Sequence, residues 1–423
     1  MKKTRISLYR GVEMTALTTD KFKFNTLSLS FIMPLTRENA SYAGLAARVL
    51  NRGCAAYPTL RDISLQCDRL YSASVSAGCR KSGESLMLNF TLSTLDNSYA
   101  YDGTDVFGEA LELMGEIIYN PLVSDGAFKE EYVESEKKNM IDDIRAQINN
   151  KSTYALNRCI ELMCDGEAFA VYGGGDEATV AGTDAKSLYE KYAEMISSLP
   201  AVVCFIGNVA PEQVAEKLKK ALKLTDRDTK LPETRVIRTA GPVKEITEEM
   251  EINQGKLSIG FRTGCCMTDE DYPAFPLFGT LFGTSPTSKL FLNVREKLSL
   301  CYYCSPVSDA LKGTMVVASG IDCANKEKAQ AAILHELEDI KKGNFTDEEF
   351  ENAVRSIRNS YMEAMDSPNA LANWFSVRLL AGIDDTPEEY IEKLMSYGRD
   401  DIIRAANRVT LDTVYFLKGR AGE

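Results

Sequence analysis

Hydrophobic and polar positions follow one plan twice along this chain. Leu27, Leu29, Phe31 and Met33 alternate with polar or small residues, the period of a half-buried strand, and Leu257, Ile259 and Phe261 repeat the figure. A second alternation at Leu86, Leu88, Phe90 and Leu92 precedes a helical spacing at Val106, Phe107, Ala110, Leu111, Met114, Ile117 and Ile118. The second half answers with an apolar strand at 315–321, then Ala331, Leu334, Leu337 and Ile340. Each half continues into a longer amphipathic helix: Tyr132, Val133, Met140, Ile141, Ile144 and Ile148 in the first, Phe350, Val354, Ile357, Tyr361 and Met365 in the second. Ser124-Asp125 and Thr346-Asp347 stand where N-terminal caps of these helices belong. Both halves close on a short apolar strand ending in a glycine, Val-Val-Cys-Phe-Ile-Gly at 202–207 and Val-Tyr-Phe-Leu-Lys-Gly at 414–419.

A repeat of this length is a duplicated domain rather than a solenoid, because each copy has enough strands and helices to cover its own sheet. The expected class is α+β, with each domain a mostly antiparallel sheet covered by helices. The stretch between the copies is rich in charge, Thr and Pro, which predicts a first domain over 1–228, a linker over 229–245 and a second domain over 246–423.

Composition narrows the partners. With 423 residues, 44% hydrophobic and 26% charged, the chain can bury a large core. A net charge of -12 gives no basic field to gather nucleic acid or an anionic membrane face, so neither is an expected partner. The segment after Met1-Lys2-Lys3 has no apolar core of signal-peptide length, which makes the cytoplasm the expected location. Eleven cysteines, an odd number, then read as reduced thiols. Cys301-x-x-Cys304 has redox or zinc spacing but falls in a strand, where positions three apart point to opposite faces. His335, the one histidine, sits between Leu334 and Leu337 on a helix and reads as a surface or groove residue. Gly173-Gly174-Gly175 lacks the Gly-Lys-Ser/Thr of a phosphate loop and reads as a flexible loop.

The most specific stretch is Ser288-Lys-Leu-Phe-Leu-Asn-Val-Arg-Glu-Lys-Leu-Ser-Leu-Cys-Tyr-Tyr-Cys-Ser305. It resembles the C-terminal-half signature of the insulinase (pitrilysin) family of inverted-motif zinc peptidases: Ser-x-Leu-Phe, then Arg-Glu-Lys, then an apolar residue and a Tyr. Arg295 and Tyr302 fall on the family's Arg and Tyr. The resemblance implies two homologous α/β sandwich domains of the LuxS/processing-peptidase type.

Active members of that family carry His-x-x-Glu-His on a helix after the first strand. With Gly53 set on the glycine that follows the motif, Gly44, Ala47 and Arg48 occupy the places of the first His, the Glu and the second His, and Asp143 that of the downstream ligand. Gly and Ala offer no donor, and the Arg guanidinium accepts nothing. One histidine in the chain cannot supply two imidazoles in any register. No zinc is therefore expected on this chain, and no general base.

In the family's two-chain members one subunit carries the metal and its partner contributes the Arg and Tyr. The resemblance thus implies a non-catalytic subunit of a heteromeric zinc metallopeptidase, partnered by a homologous zinc-bearing chain with His-x-x-Glu-His and acting on peptides or small proteins. Position alone makes Arg295 a solvated charge and Tyr302 a packed aromatic; the motif makes both substrate-binding candidates. The competing reading is a non-enzymatic peptide-binding or scaffold protein, as a homodimer when isolated. An unrelated metal site built from Asp, Glu and Cys is a third.

Overall fold

A computed structural model describes residues 1–419. The strands are β1 (Lys2–Tyr9), β2 (Val12–Thr18), β3 (Phe24–Pro34), β4 (Ser74–Ser82), β5 (Ser85–Leu95), β6 (Ala201–Gly207), β7 (Lys244–Met250), β8 (Gly255–Arg262), β9 (Cys301–Asp309), β10 (Thr314–Ile321) and β11 (Thr410–Gly419). The helices that cover them or carry site residues are α1 (Arg37–Leu50), α2 (Val106–Tyr119), α3 (Glu130–Ala146), α4 (Lys151–Met163), α5 (Lys326–Lys341), α6 (Asp347–Ala364) and α7 (Pro368–Leu380).

The first sheet runs β1-β2-β6-β3-β5-β4 and the second β9-β10-β8-β11-β7. With β1 set aside, the two orders match strand for strand. Each sheet is antiparallel except for one parallel pair, β2 with β6 and β11 with β7, at matching places. The α+β class and the duplication expected from the hydrophobic pattern are therefore present.

Two compact units result. One comprises Met1–Arg145, Tyr172–Glu233 and Ser367–Leu380; the other comprises Ala146–Val171, Thr234–Asp366 and the chain from Ala381 on. The change of unit at Glu233 falls inside the 229–245 stretch. Two segments belong to the unit that sequence order would not suggest: α4, early in the chain, packs on the second sheet, and α7, late in the chain, packs on the first.

This explains a departure from the half-buried strand expected at Leu27–Met33. β3 is buried on both faces along nearly its whole length. Its outwardly polar positions are roofed by α7, where Leu379 and Leu380 pack on Ile32, Met87 and Val202. Ser28 and Ser30 remain satisfied there, both donating to Asn89 Oδ1 at 2.8 and 2.7 Å. On the second sheet, α4 places Cys159 and Met163 over Gly260, where a Cβ would lie 2.8 Å from the Met163 sulfur. Gly260 is what lets the helix approach.

Under the same helix lies a buried ionic cluster. Arg262 donates to Glu167 Oε1 at 2.6 Å, to Asp412 Oδ2 at 2.9 Å and to the Met163 carbonyl at 2.7 Å. Lys312, fully buried, pairs with Glu167 Oε2 at 2.5 Å.

Caps divide the two long helices. Thr346 caps α6 as expected, in a reciprocal box with Glu349. Ser124-Asp125 does not cap α3. Val123–Ser124 and Ala127–Phe128 pair as a two-residue hairpin, with Asp125 and Gly126 at φ 52° and 74°, and α3 begins later, at Glu130. Asp-Gly is the sequence that accepts left-handed φ at both turn positions, and this preference outweighs the cap. Among the described residues no helix is long and apolar enough to cross a membrane.

Candidate functional site

Gly44 and Arg48 stand one turn apart on the face of α1 turned to α3, and Ala47 adjoins Arg48. A Cβ on Gly44 would sit 3.0 Å from Met140 Cε, and Ala47 is buried. One turn further along α3, Asp143 Oδ2 accepts from Arg48 Nη2 at 2.7 Å. Folding has therefore brought together all four positions that the resemblance aligned with the metal site. What they form is a half-exposed Arg–Asp ion pair.

These residues do not fit a zinc ion. Glycine and alanine give no lone pair, Arg48 brings a permanent positive charge, and the one carboxylate present is engaged by that charge. No group of three or more His, Cys, Asp and Glu able to hold a metal occurs among the described residues.

The neighbourhood is packed. Arg52, one turn beyond Arg48, pairs with buried Glu136 at 2.9 Å and lies over the Tyr132 ring at 4.9 Å. Tyr172 stands close by, its phenol raised first by burial and then by the charge of Asp143. The glycine run expected as a flexible loop is held against this face. Gly175 has φ 96° and lies so close that a Cβ would come within 2.6 Å of Met140 Cε, while Asp176 N–H donates to Ser41 Oγ at 2.9 Å.

Arg295 and Tyr302 come together elsewhere, in the second unit. The chain over Leu290–Lys297 winds as a wide helix in which the Leu298 N–H reaches back five residues to the Asn293 carbonyl at 2.9 Å. Asn293 also donates from its side chain to Glu336 of α5 at 2.9 Å, which fixes the segment. Ser299, at φ 50°, then turns the chain into β9. Arg295, Glu296, Ser299, Leu300, Cys301, Tyr302, Asp322 and Asn325 line a pocket of ≈ 460 Å³. The Arg295 guanidinium lies over the Phe291 ring at 4.5 Å and pairs with Glu296 at 3.4 Å.

Tyr302 is not core packing: it is 73% exposed, and its hydroxyl has no hydrogen-bond partner among the described residues. Its neighbour takes the packed role instead. Tyr303 donates to Ser152 Oγ at 2.8 Å and lies so close to Gly320 that a Cβ there would be 2.6 Å from its ring.

The two tyrosines diverge because β9 is irregular where it pairs with β10. Cys301 opposes Ile321 but Tyr303 opposes Gly320, so Tyr302 is the extra residue of a bulge. The same bulge corrects the expectation for Cys301 and Cys304. They do not face opposite ways; both are buried on one face of the strand. Three residues of chain count as two across the bulge, which returns Cys304 to the face of Cys301. Sequence reading also missed Phe291 beneath Arg295 and Cys301 in the pocket wall, since strand alternation carries no mark of a bulge. His335 is 69% exposed on α5, 3.5 Å from Asp339, and belongs to neither site.

Comparison with known proteins fits this geometry. The family model described as "Peptidase M16 inactive domain" matches residues 183–357. The chain is 32% identical over 416 residues to the probable inactive metalloprotease YmfF of Bacillus subtilis (strain 168), covering 98% of each. Among solved structures, a conserved protein from Enterococcus faecalis V583 superposes with a TM-score of 0.92 at 27% identity, covering 100% of this chain and 99% of that one. A protease from Helicobacter pylori gives 0.82 at 15% identity, covering 99% of both chains, a likeness of fold.

Proposed function

Because this chain belongs to the M16 (insulinase) family of peptidases as a degenerate member, and the Arg48–Asp143 pair stands at the aligned metal positions, we propose that it is the substrate-holding subunit of a two-chain zinc peptidase. The observation that carries the proposal is a contrast within one chain. The aligned metal-site positions hold an ion pair with no free donor set, whereas Arg295 and Tyr302 share an open pocket and the Tyr302 hydroxyl is unengaged. A chain kept only for its fold has no need of an exposed tyrosine beside an arginine.

In this reading the chemistry divides between two chains. The homologous partner carries His-x-x-Glu-His and attacks the peptide carbonyl. This chain supplies a phenol O–H to the oxyanion that develops there and a guanidinium that forks onto substrate carbonyl or carboxylate oxygens. Phe291, stacked beneath Arg295, limits the conformations the guanidinium can take, so less freedom is lost on binding. A peptide or small protein would add as a strand along an exposed sheet edge. Backbone pairing of this kind gives affinity with little sequence preference.

The test is co-purification of the tagged chain from its own host, followed by peptidase assays on the separate and mixed subunits. Cleavage should appear only in the mixture, and Tyr302→Phe should lower kcat by about 10²–10³-fold, the usual effect of losing one oxyanion donor. Arg295→Ala should act chiefly on KM. Chelator-sensitive cleavage by this chain alone would overturn the proposal. A mixture indifferent to both substitutions, or a chain that purifies only as a homodimer, would favour a peptide-binding scaffold.

A further inference from the structure

The wall of the Arg295 pocket contains a second kind of chemistry. Cys301 borders the pocket, while Cys304 lies behind it, 5% exposed. The bulge at Tyr302 sets Cys301 opposite Ile321 and Cys304 opposite Ser319, two residues apart on β10. That spacing is about 6.6 Å between Cα atoms, near the upper limit of the roughly 4.4–6.8 Å that a disulfide spans. Both thiols are free, and they stand as neighbours on one face of β9.

From this arrangement we infer that Cys301 and Cys304 form an oxidisable dithiol site for a small peroxide, with Cys301 as the attacking sulfur and Cys304 as the resolving one. The Cys301 thiolate attacks one peroxide oxygen, the O–O bond breaks, and the departing oxygen leaves as water after taking up a proton. Cys301 is then a sulfenic acid. The Cys304 thiol attacks that sulfur, its proton leaves with the hydroxyl as a second water, and the S–S bond closes. One peroxide is reduced by two electrons and two thiols become one disulfide.

The surroundings favour this assignment of roles. The neighbouring Cys304 thiol lowers the Cys301 thiol despite burial, and the charge of Arg295 adds to the effect. Cys304 is raised by its Cys301 neighbour and by its own burial. Burial pushes other thiols up, Cys204 to about 12 and Cys265 to about 11, which leaves them inert. A bridge in the pocket wall stays within reach of a small reductant, as a reversible modification requires. It would also lock the bulge that presents Tyr302 to the pocket.

The test uses the full reduced chain and hydrogen peroxide. After digestion with trypsin without reductant, peptide 298–312, which contains both cysteines, should be lighter by two hydrogen atoms and closed to alkylation. Dithiothreitol should restore it. It should oxidise at least about tenfold faster than the thiols of Cys204 and Cys265, in keeping with thiolate-limited reactivity. In Cys304→Ser, dimedone should trap a sulfenic acid on Cys301. A 298–312 peptide that stays dithiol while the half-exposed Cys67, Cys79 and Cys323 oxidise would overturn the inference, as would a dimedone adduct on Cys304 in the unaltered chain.

Discussion

Replacing Glu167 by Gln isolates the buried ionic cluster under α4, and its cost can be worked from the geometry. Arg262 and Lys312 are 3% and 0% exposed in their side chains, and they face the two carboxylates of Glu167 and Asp412. Neutralising Glu167 removes the carboxylate that both buried cations pair with. Breaking a buried pair from one side costs about 3–5 kcal/mol, and because the amide keeps one carbonyl acceptor the lower end, about 3 kcal/mol, is expected. An exposed ion pair offers the control: Lys220→Gln, which breaks a surface pair with Glu112, should change stability by less than about 1 kcal/mol.

Denaturant unfolding of both variants at neutral pH measures the difference, and pH adds a second signature. Burial alone would raise the Glu167 carboxyl, but hydrogen bonds from Arg262 and Lys312 outweigh it and hold the group below its ordinary range. A carboxyl depressed by folding contributes stability above its unfolded value, about 4.3 for Glu, and loses it as pH falls through the folded value. The gap between the unaltered chain and Glu167→Gln should therefore narrow only below about pH 4. A loss under about 1 kcal/mol at neutral pH, or a gap that widens in acid, would refute the account of this cluster.

Two further outcomes follow from the first unit. The unaltered chain should keep no stoichiometric zinc after dialysis, whereas the triple substitution Gly44→His, Ala47→Glu and Arg48→His, which also releases Asp143, should bind about one zinc per chain by elemental analysis. Zinc on the unaltered chain, or none on the triple variant, would show that these positions are misaligned with the metal site. Gly175→Ala should lower stability by about 1–3 kcal/mol, because φ 96° strains any side chain and Met140 Cε and Ser41 leave no room for a Cβ. A thermal melt unchanged from the unaltered chain would contradict that packing.

Much of the fold was legible because it is local. Alternation at Leu86–Leu92, the 3.6-residue spacing from Val106 and the Thr346 cap are set by residues close in sequence, and each forms as expected. Duplication could be read because the same order of periods occurs twice. At the site, the absence of zinc donors was decided by residue type alone, since no conformation gives Gly44, Ala47 or Arg48 a lone pair.

Contacts between residues distant in sequence escaped that reading. α7 buries the polar face of β3, a contact spanning over three hundred residues that no periodicity records. The Asp125-Gly126 turn, by contrast, was visible as a motif but competed with a capping motif for the same residues. Only the folded chain sets Asp143 against Arg48, turning missing ligands into an ion pair. Likewise a single-residue slip between β9 and β10 sends Tyr302 to the pocket and Tyr303 to Ser152, and puts Cys301 and Cys304 on one face. Side-chain identity limits which bonds can exist, but register and packing decide which of them are made.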